Sequence, residues 1–306
     1  YITKPQEEAQ AIRGMMFAQY LGGSIASMMV NLTQPMAISF PYLSQYGAGK
    51  AAKALTKAYA DMKGGDRALE GGLQQALKIA EEQGIVAPQE VHQLMAQAQG
   101  KASLHGGDGT KLGNFMAKSG NAFTKLALGW GKLFGWAEQI NRKATFIAAY
   151  RMAAERGDSN PFDFAKKAVN ETQFINNRGN KMQWGRGPIG ATLMTFKSYS
   201  INYLELLHRM ATRNGPEGKK AAAIMLGMLL LMAGAGGLPF ADDLNDLVDF
   251  LAERMGYNFS TKKAKQEFLE GVFGKAMADF IDRGITGLPG SPIDVSGRMS
   301  MANLIP

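Results

Sequence analysis

Apolar residues recur every three or four positions along most of this 306-residue chain. Almost nowhere do they alternate with the period of two that marks a half-buried strand. The predicted fold class is therefore all-α, a multi-helix assembly of long amphipathic helices with one or two apolar helices open to membrane association. Helices are expected from Pro5 into a first apolar run, and again from near Tyr42 after the prolines of the segment Asn31 to Pro41 force an extended or turn conformation. Two short amphipathic helices follow between Ala51 and Ala80, divided at Lys63, Gly64 and Gly65, and another starts at Pro88. The loop LHGGDGTK, Leu104 to Lys111, separates an N-terminal helical region, 1–103, from a C-terminal one, 112–306. In the latter, helices are read over Asn114 to Gly157, Pro161 to Val169, Ile189 to about Thr212, Asp242 to Arg254 and Thr261 to Ile281. Asn176 to Pro188 is too rich in Asn, Gly and Arg for regular structure.

Two uncharged runs interrupt the amphipathic rhythm, Gly14 to Gly49 and Ala221 to Ala241. About 20 predominantly apolar residues suffice for a helix to cross a bilayer. In the first run Gly22, Gly23, Ala26 and Ser27 set small side chains four apart, which lets two helix backbones approach closely. The second, taken as one helix, would reach about 30 Å, the thickness of a hydrocarbon core. Yet Gly234, Gly236, Gly237 and Pro239 soften its end, and neither border carries Trp or Tyr. A membrane span and burial in a helical bundle are equal readings of 221–241, with Leu226, Leu229 and Leu230 packing against lipid or other copies.

Composition narrows the classes. Mean hydropathy of -0.15 is too low for a polytopic transporter, and the absence of cysteine excludes a disulfide scaffold, a thiol nucleophile and thiolate metal sites. Of the net charge of +8, the segment 166–220 carries nearly all, with ten Lys and Arg against three Glu. Within it Phe174, Trp184, Phe196, Tyr199 and Tyr203 interleave with Arg178, Lys181, Arg186 and Lys197. That mixture suits contact with a nucleic-acid backbone and its bases, or with anionic lipid. The alternative is structural, since Phe196, Tyr203 and Leu207 also fall at helical spacing. The opening YITKPQEEAQ is polar where a signal peptide is apolar, so export by the standard route is not expected.

Catalytic signatures are missing. His92, His105 and His208 stand far apart and outside any spacing that presents two ligands on one helix face. Lys111 follows Gly109 and Thr110 without the order a phosphate-binding loop requires. The acidic pairs Glu81 with Glu82 and Asp242 with Asp243, and Asp246 with Asp249, lie on helical segments, where first-turn acids interact favourably with the helix dipole. No catalytic residue, metal site or cofactor is predicted.

Four strings carry a resemblance: YLGGSIASMMVNLTQPMAISFPYLSQYG (Tyr20 to Gly47), FGWAEQINRKATFIAAYRMA (Phe134 to Ala153), AVNETQFINNRGNKMQWGRGPIGATLMTFKSYSINYLELLHRM (Ala168 to Met210) and LPGSPIDVSGRMSMANLIP (Leu288 to Pro306). They resemble the C-terminal region of the large internal virion, or ejection, proteins of short-tailed bacteriophages and of related prophage polyvalent proteins. The resemblance implies a protein stored in the virion interior and ejected ahead of the genome. It implies reassembly with its own copies and partner ejection proteins in the periplasm and inner membrane, as a channel for double-stranded DNA in transit. Relatives carry transglycosylase or polymerase domains elsewhere in the polypeptide, and no such activity is expected of this segment. The rival expectations are a soluble helical virion module that binds the portal or packaged DNA, and a peptidoglycan-degrading enzyme.

Overall fold

Pro35 and Pro41 do not break the chain into an extended turn. In the computed structural model, which describes residues 31–65, 69–87, 135–173, 198–238, 240–255, 260–285 and 288, the backbone stays helical from 31 to 44. A helical turn at 31–34 leads into a π-helix, Pro35–Ser39, and then into α1, Phe40–Ser44. The Phe40 N–H donates to the Pro35 carbonyl, five residues back, so the helix widens by one residue where the prolines supply no donor. A side chain meets the carbonyl that the missing Pro35 N–H would have used: Asn141 Nδ2 donates to the Asn31 carbonyl at 2.5 Å.

The remaining elements are α2 (Ala48–Lys63), α3 (Gly71–Glu82), α4 (135–156), α5 (Pro161–Thr172), α6 (Ser198–Arg213), α7 (Gly215–Ala233), a 3-10 turn Ala235–Gly237, α8 (Ala241–Arg254), α9 (Thr261–Phe273) and α10 (Lys275–Arg283). No strand occurs among the described residues, so the protein is all-helical. Caps explain several boundaries. Gly157, at φ +76°, ends α4, and the Asn160 side chain accepts from the Asp163 N–H to open α5 ahead of Pro161. Two expected helices are shorter than their patterns. The helix read over Thr261 to Ile281 is cut at Gly274, whose φ of +78° only glycine adopts readily. The single helix read over 221–241 is replaced by α7, which begins at Gly215 and stops at Ala233, because Gly234 takes φ +70° and ψ -175°. Its apolar stretch from Ala221 is then only about 20 Å long. No helix among the described residues is long and apolar enough to cross a membrane.

The chain divides into two compact units, 1–221 and 222–306, where the sequence suggested a division at Leu104 to Lys111. That loop lies outside the described residues, but helices from before and after it pack together in the first unit. α4 is the central helix: Ala144, Phe146, Ile147, Ala148, Ala149 and Ala153 are wholly buried, alongside Asn141, Arg142, Thr145 and Arg151. Buried polar groups require partners. Thr145 Oγ1 meets Ser39 Oγ at 2.8 Å, Arg142 pairs with Glu138 at 2.6 Å, and Arg151 pairs with Asp61 of α2 at 2.5 Å. Lys143 reaches Glu81 of α3 at 2.6 Å. At the far end of α4 the Arg156 guanidinium lies 4.3 Å from the Tyr46 ring and 4.4 Å from the Phe164 ring, which meet edge to face at 5.0 Å, so cation–π contacts tie α4 to the turn after α1 and to α5.

The second unit is built on backbone approach. A Cβ placed on Gly234 would stand 2.4 Å from backbone atoms of Asp282 and Arg283. One on Gly284, at φ +71°, would stand 2.6 Å from the Leu231 carbonyl oxygen. Glycine at both positions lets the C-terminal ends of α7 and α10 meet backbone to backbone.

Candidate functional site

Charged residues of α8 make its contacts with the next helix. Asp242, Asp246 and Asp249 recur at helical spacing, and this acidic face is the one that engages α9. Lys262 Nζ lies 2.9 Å from Asp242 and 3.9 Å from Asp246. Asp249 Oδ1 accepts from the Thr261 N–H at 2.7 Å and from its hydroxyl at 2.5 Å, so an α8 side chain caps the start of α9. With Asp242 and Asp249 engaged by α9 and Ala252 buried, Leu244, Leu247, Val248, Phe250, Leu251 and Met255 are left between 45% and 69% exposed. An ion pair likewise joins the next two helices, Lys265 of α9 with Asp282 of α10, while Phe268, Val272, Phe273 and Met277 are exposed. An open surface depression of about 300 Å³ is lined by Asp242, Asn245, Lys262, Lys265, Asp282 and Arg283, with Ala233, Gly236 and Gly237 beside them.

The two hydrogen bonds from Thr261 hold the Asp249 carboxyl below the usual carboxylate range, and neighbouring Lys262 adds to this. Lys262 is in turn raised above the ordinary lysine value, chiefly by its hydrogen bond to Asp242. A lowered acid contributes stability that is complete above its unfolded value and disappears as pH falls through the native one. The junction of α8 and α9 is therefore expected to loosen below the ordinary carboxylate value of 3.8. Hydrogen exchange of the Thr261 amide as a function of pH checks this: protection should be lost in that acid range in wild type and be absent at all pH values in Asp249→Ala.

The residues singled out from sequence fall into three groups. Gly22, Gly23, Ala26 and Ser27, and the basic set Arg178, Lys181, Arg186 and Lys197, lie outside the described residues, as do Phe174, Trp184 and Phe196. Tyr203 is wholly buried on α6 with Leu206 and Met210, so it serves the core and not base stacking. Of the α7 leucines, Leu229 is 3% exposed and packs internally, whereas Leu226 and Leu230 are exposed together with Leu231. Two of the three thus keep an outward face for a partner.

In the basic segment, Arg209 is bracketed by Glu171, at 3.3 Å from its NH1, and by Glu205 at 3.9 Å. Lys220 pairs with Glu217 at 2.7 Å, and Lys167, Arg213 and Lys219 are exposed. No cluster of three or more His, Asp or Glu able to hold a metal occurs among the described residues. Sequence reasoning missed the outward faces of α8 and α9. The signal was present, in Leu244, Val248 and Leu251 opposite Asp242, Asp246 and Asp249, but an amphipathic pattern by itself assigns the apolar side to the core. Comparison with known proteins finds no family that matches this chain, and no similar curated protein or solved structure.

Proposed function

We propose that this chain is a non-enzymatic helical portion of a bacteriophage ejection protein, which leaves the virion interior and assembles with further copies into a conduit for double-stranded DNA across the host cell envelope. The observation that carries this reading is the number of large apolar side chains exposed on α7 to α10, among them Leu230, Leu244, Leu251, Phe268 and Val272. Large apolar side chains exposed in this number are unfavourable in water and mark surfaces that other molecules cover. Further copies, partner ejection proteins and the inner membrane are the occupants that the sequence resemblance supplies. In such an assembly the segment 166–220, through Arg178, Lys181, Arg186 and Lys197, faces the passing DNA or anionic lipid.

Electron cryo-microscopy of the purified assembly tests the proposal. Copies arranged around a passage wide enough for duplex DNA are expected, and single copies without a passage overturn it. Neutralising the four basic residues is expected to slow genome entry without preventing assembly. Flotation with liposomes addresses the envelope: co-flotation that is lost on deleting Ala221 to Ala241 is expected, whereas a chain that never floats is a helical module confined to the virion.

A further inference from the structure

Four of the exposed apolar residues along α8 follow a stricter rule than amphipathicity. The half-buried Ala241 and the exposed Leu244, Val248, Leu251 and Met255 are separated by three, four, three and four residues, the a and d positions of a heptad repeat, with the exposed Leu247 and Phe250 beside them. Leucine holds both d positions and β-branched valine the central a position, the combination that favours pairing of two helices. The positions flanking such a seam decide whether like helices repel, and here they are Asn245, Leu247, Ala252 and Arg254, which include no acid. The acids lie on the other side, where Lys262 pairs with Asp242 and Asp246 and Thr261 donates to Asp249. The seam is therefore apolar, bordered by little charge, and already presented by a helix that α9 holds in place.

We propose that this face of α8 is the surface through which one copy of the chain meets α8 of a second copy. The inference rests on reading the chain as self-assembling and names the contact. A bilayer is the other candidate occupant, and the charge of α8 opposes it. Helices that lie on membranes carry Lys and Arg opposite their apolar side, for attraction to anionic headgroups. α8 carries Asp242, Asp243, Asp246, Asp249 and Glu253 against Arg254 alone. Lipid headgroups of negative charge would repel it, whereas a second copy offers the same uncharged stripe.

The chain contains no cysteine, so Val248→Cys gives the full-length protein a single thiol at the midpoint of the seam, where a parallel and an antiparallel pair both bring two copies together. Under mild oxidation Val248→Cys is expected to form the disulfide-linked dimer, and Glu253→Cys, on the side of α8 away from the seam, is expected to remain unbridged. Leu251→Asp is expected to weaken self-association by about tenfold or more, read by analytical ultracentrifugation, with helical circular dichroism unchanged because the side chain is exposed. A chain that self-associates while Val248→Cys fails to bridge and Leu251→Asp keeps its assembly size overturns this contact and leaves the proposed conduit standing. A chain that stays a single copy at every concentration overturns both. Loss of binding to phosphatidylglycerol and phosphatidylethanolamine vesicles in Leu251→Asp, with assembly size unchanged, assigns the face to lipid and also overturns the contact.

Discussion

Replacing Gly234 with alanine is expected to destabilise the 222–285 unit by about 3 kcal/mol or more. Two effects add. The φ of +70° with ψ of -175° lies in a region that is essentially confined to glycine, and forcing a side chain into it costs about 1–3 kcal/mol. The new Cβ would also stand 2.4 Å from backbone atoms of Asp282 and Arg283, and backbone cannot yield as the end of a side chain can. The ends of α7 and α10 must then separate. Limited proteolysis of the full chain should show new cleavages confined to 222–285, and thermal unfolding should show an early transition. Gly227→Ala is the internal control. Gly227 lies mid-helix with open space where a Cβ would go, so alanine there is expected to stabilise by up to about 1 kcal/mol. Equal behaviour of the two variants would contradict the backbone contact.

Asp61→Ala is expected to destabilise the first unit by about 3 kcal/mol, through the group it abandons and not through the one it removes. The Arg151 side chain is 8% exposed, and its Nε and NH1 have no hydrogen-bond partner among the described residues. Asp61, at 2.5 Å from NH2, is the acid that compensates this buried charge. Without it, the guanidinium stays in the core unpaired. Asp61 is itself partly open to solvent, which places the loss at the low end of the range for broken buried pairs. The double variant Asp61→Ala/Arg151→Met removes the stranded charge and keeps an apolar side chain of similar length, so it should recover most of the loss. Urea unfolding of the three proteins measures this, and a double variant no more stable than Asp61→Ala would show that the pair itself held α2 to α4.

The contrast between these sites separates what periodicity reveals from what it conceals. Helical spacing, Pro161 and the glycines at 64 and 157 located several boundaries, because caps and breakers act within one turn of the chain. The prolines at 35 and 41 were misread as an interruption. Relief for the missing N–H came from a π-helical widening and from Asn141, which lies 110 positions from the Asn31 carbonyl it donates to. The apolar run 221–241 was likewise read as one helix, since nothing local distinguishes Gly234, in a conformation imposed by contact with α10, from the helical Gly227.

By itself the sequence determined that the protein is helical, where its charge lies, and that α8 has an acidic and an apolar side, for these depend only on residue types and a period of 3.6. Only the tertiary structure decided which side faces out. Lys262 and Thr261 of α9 bind the three aspartates, and a helix cannot turn both faces to one neighbour. The direction of polarity follows from which partner satisfies the charges, and that partner is supplied by the fold.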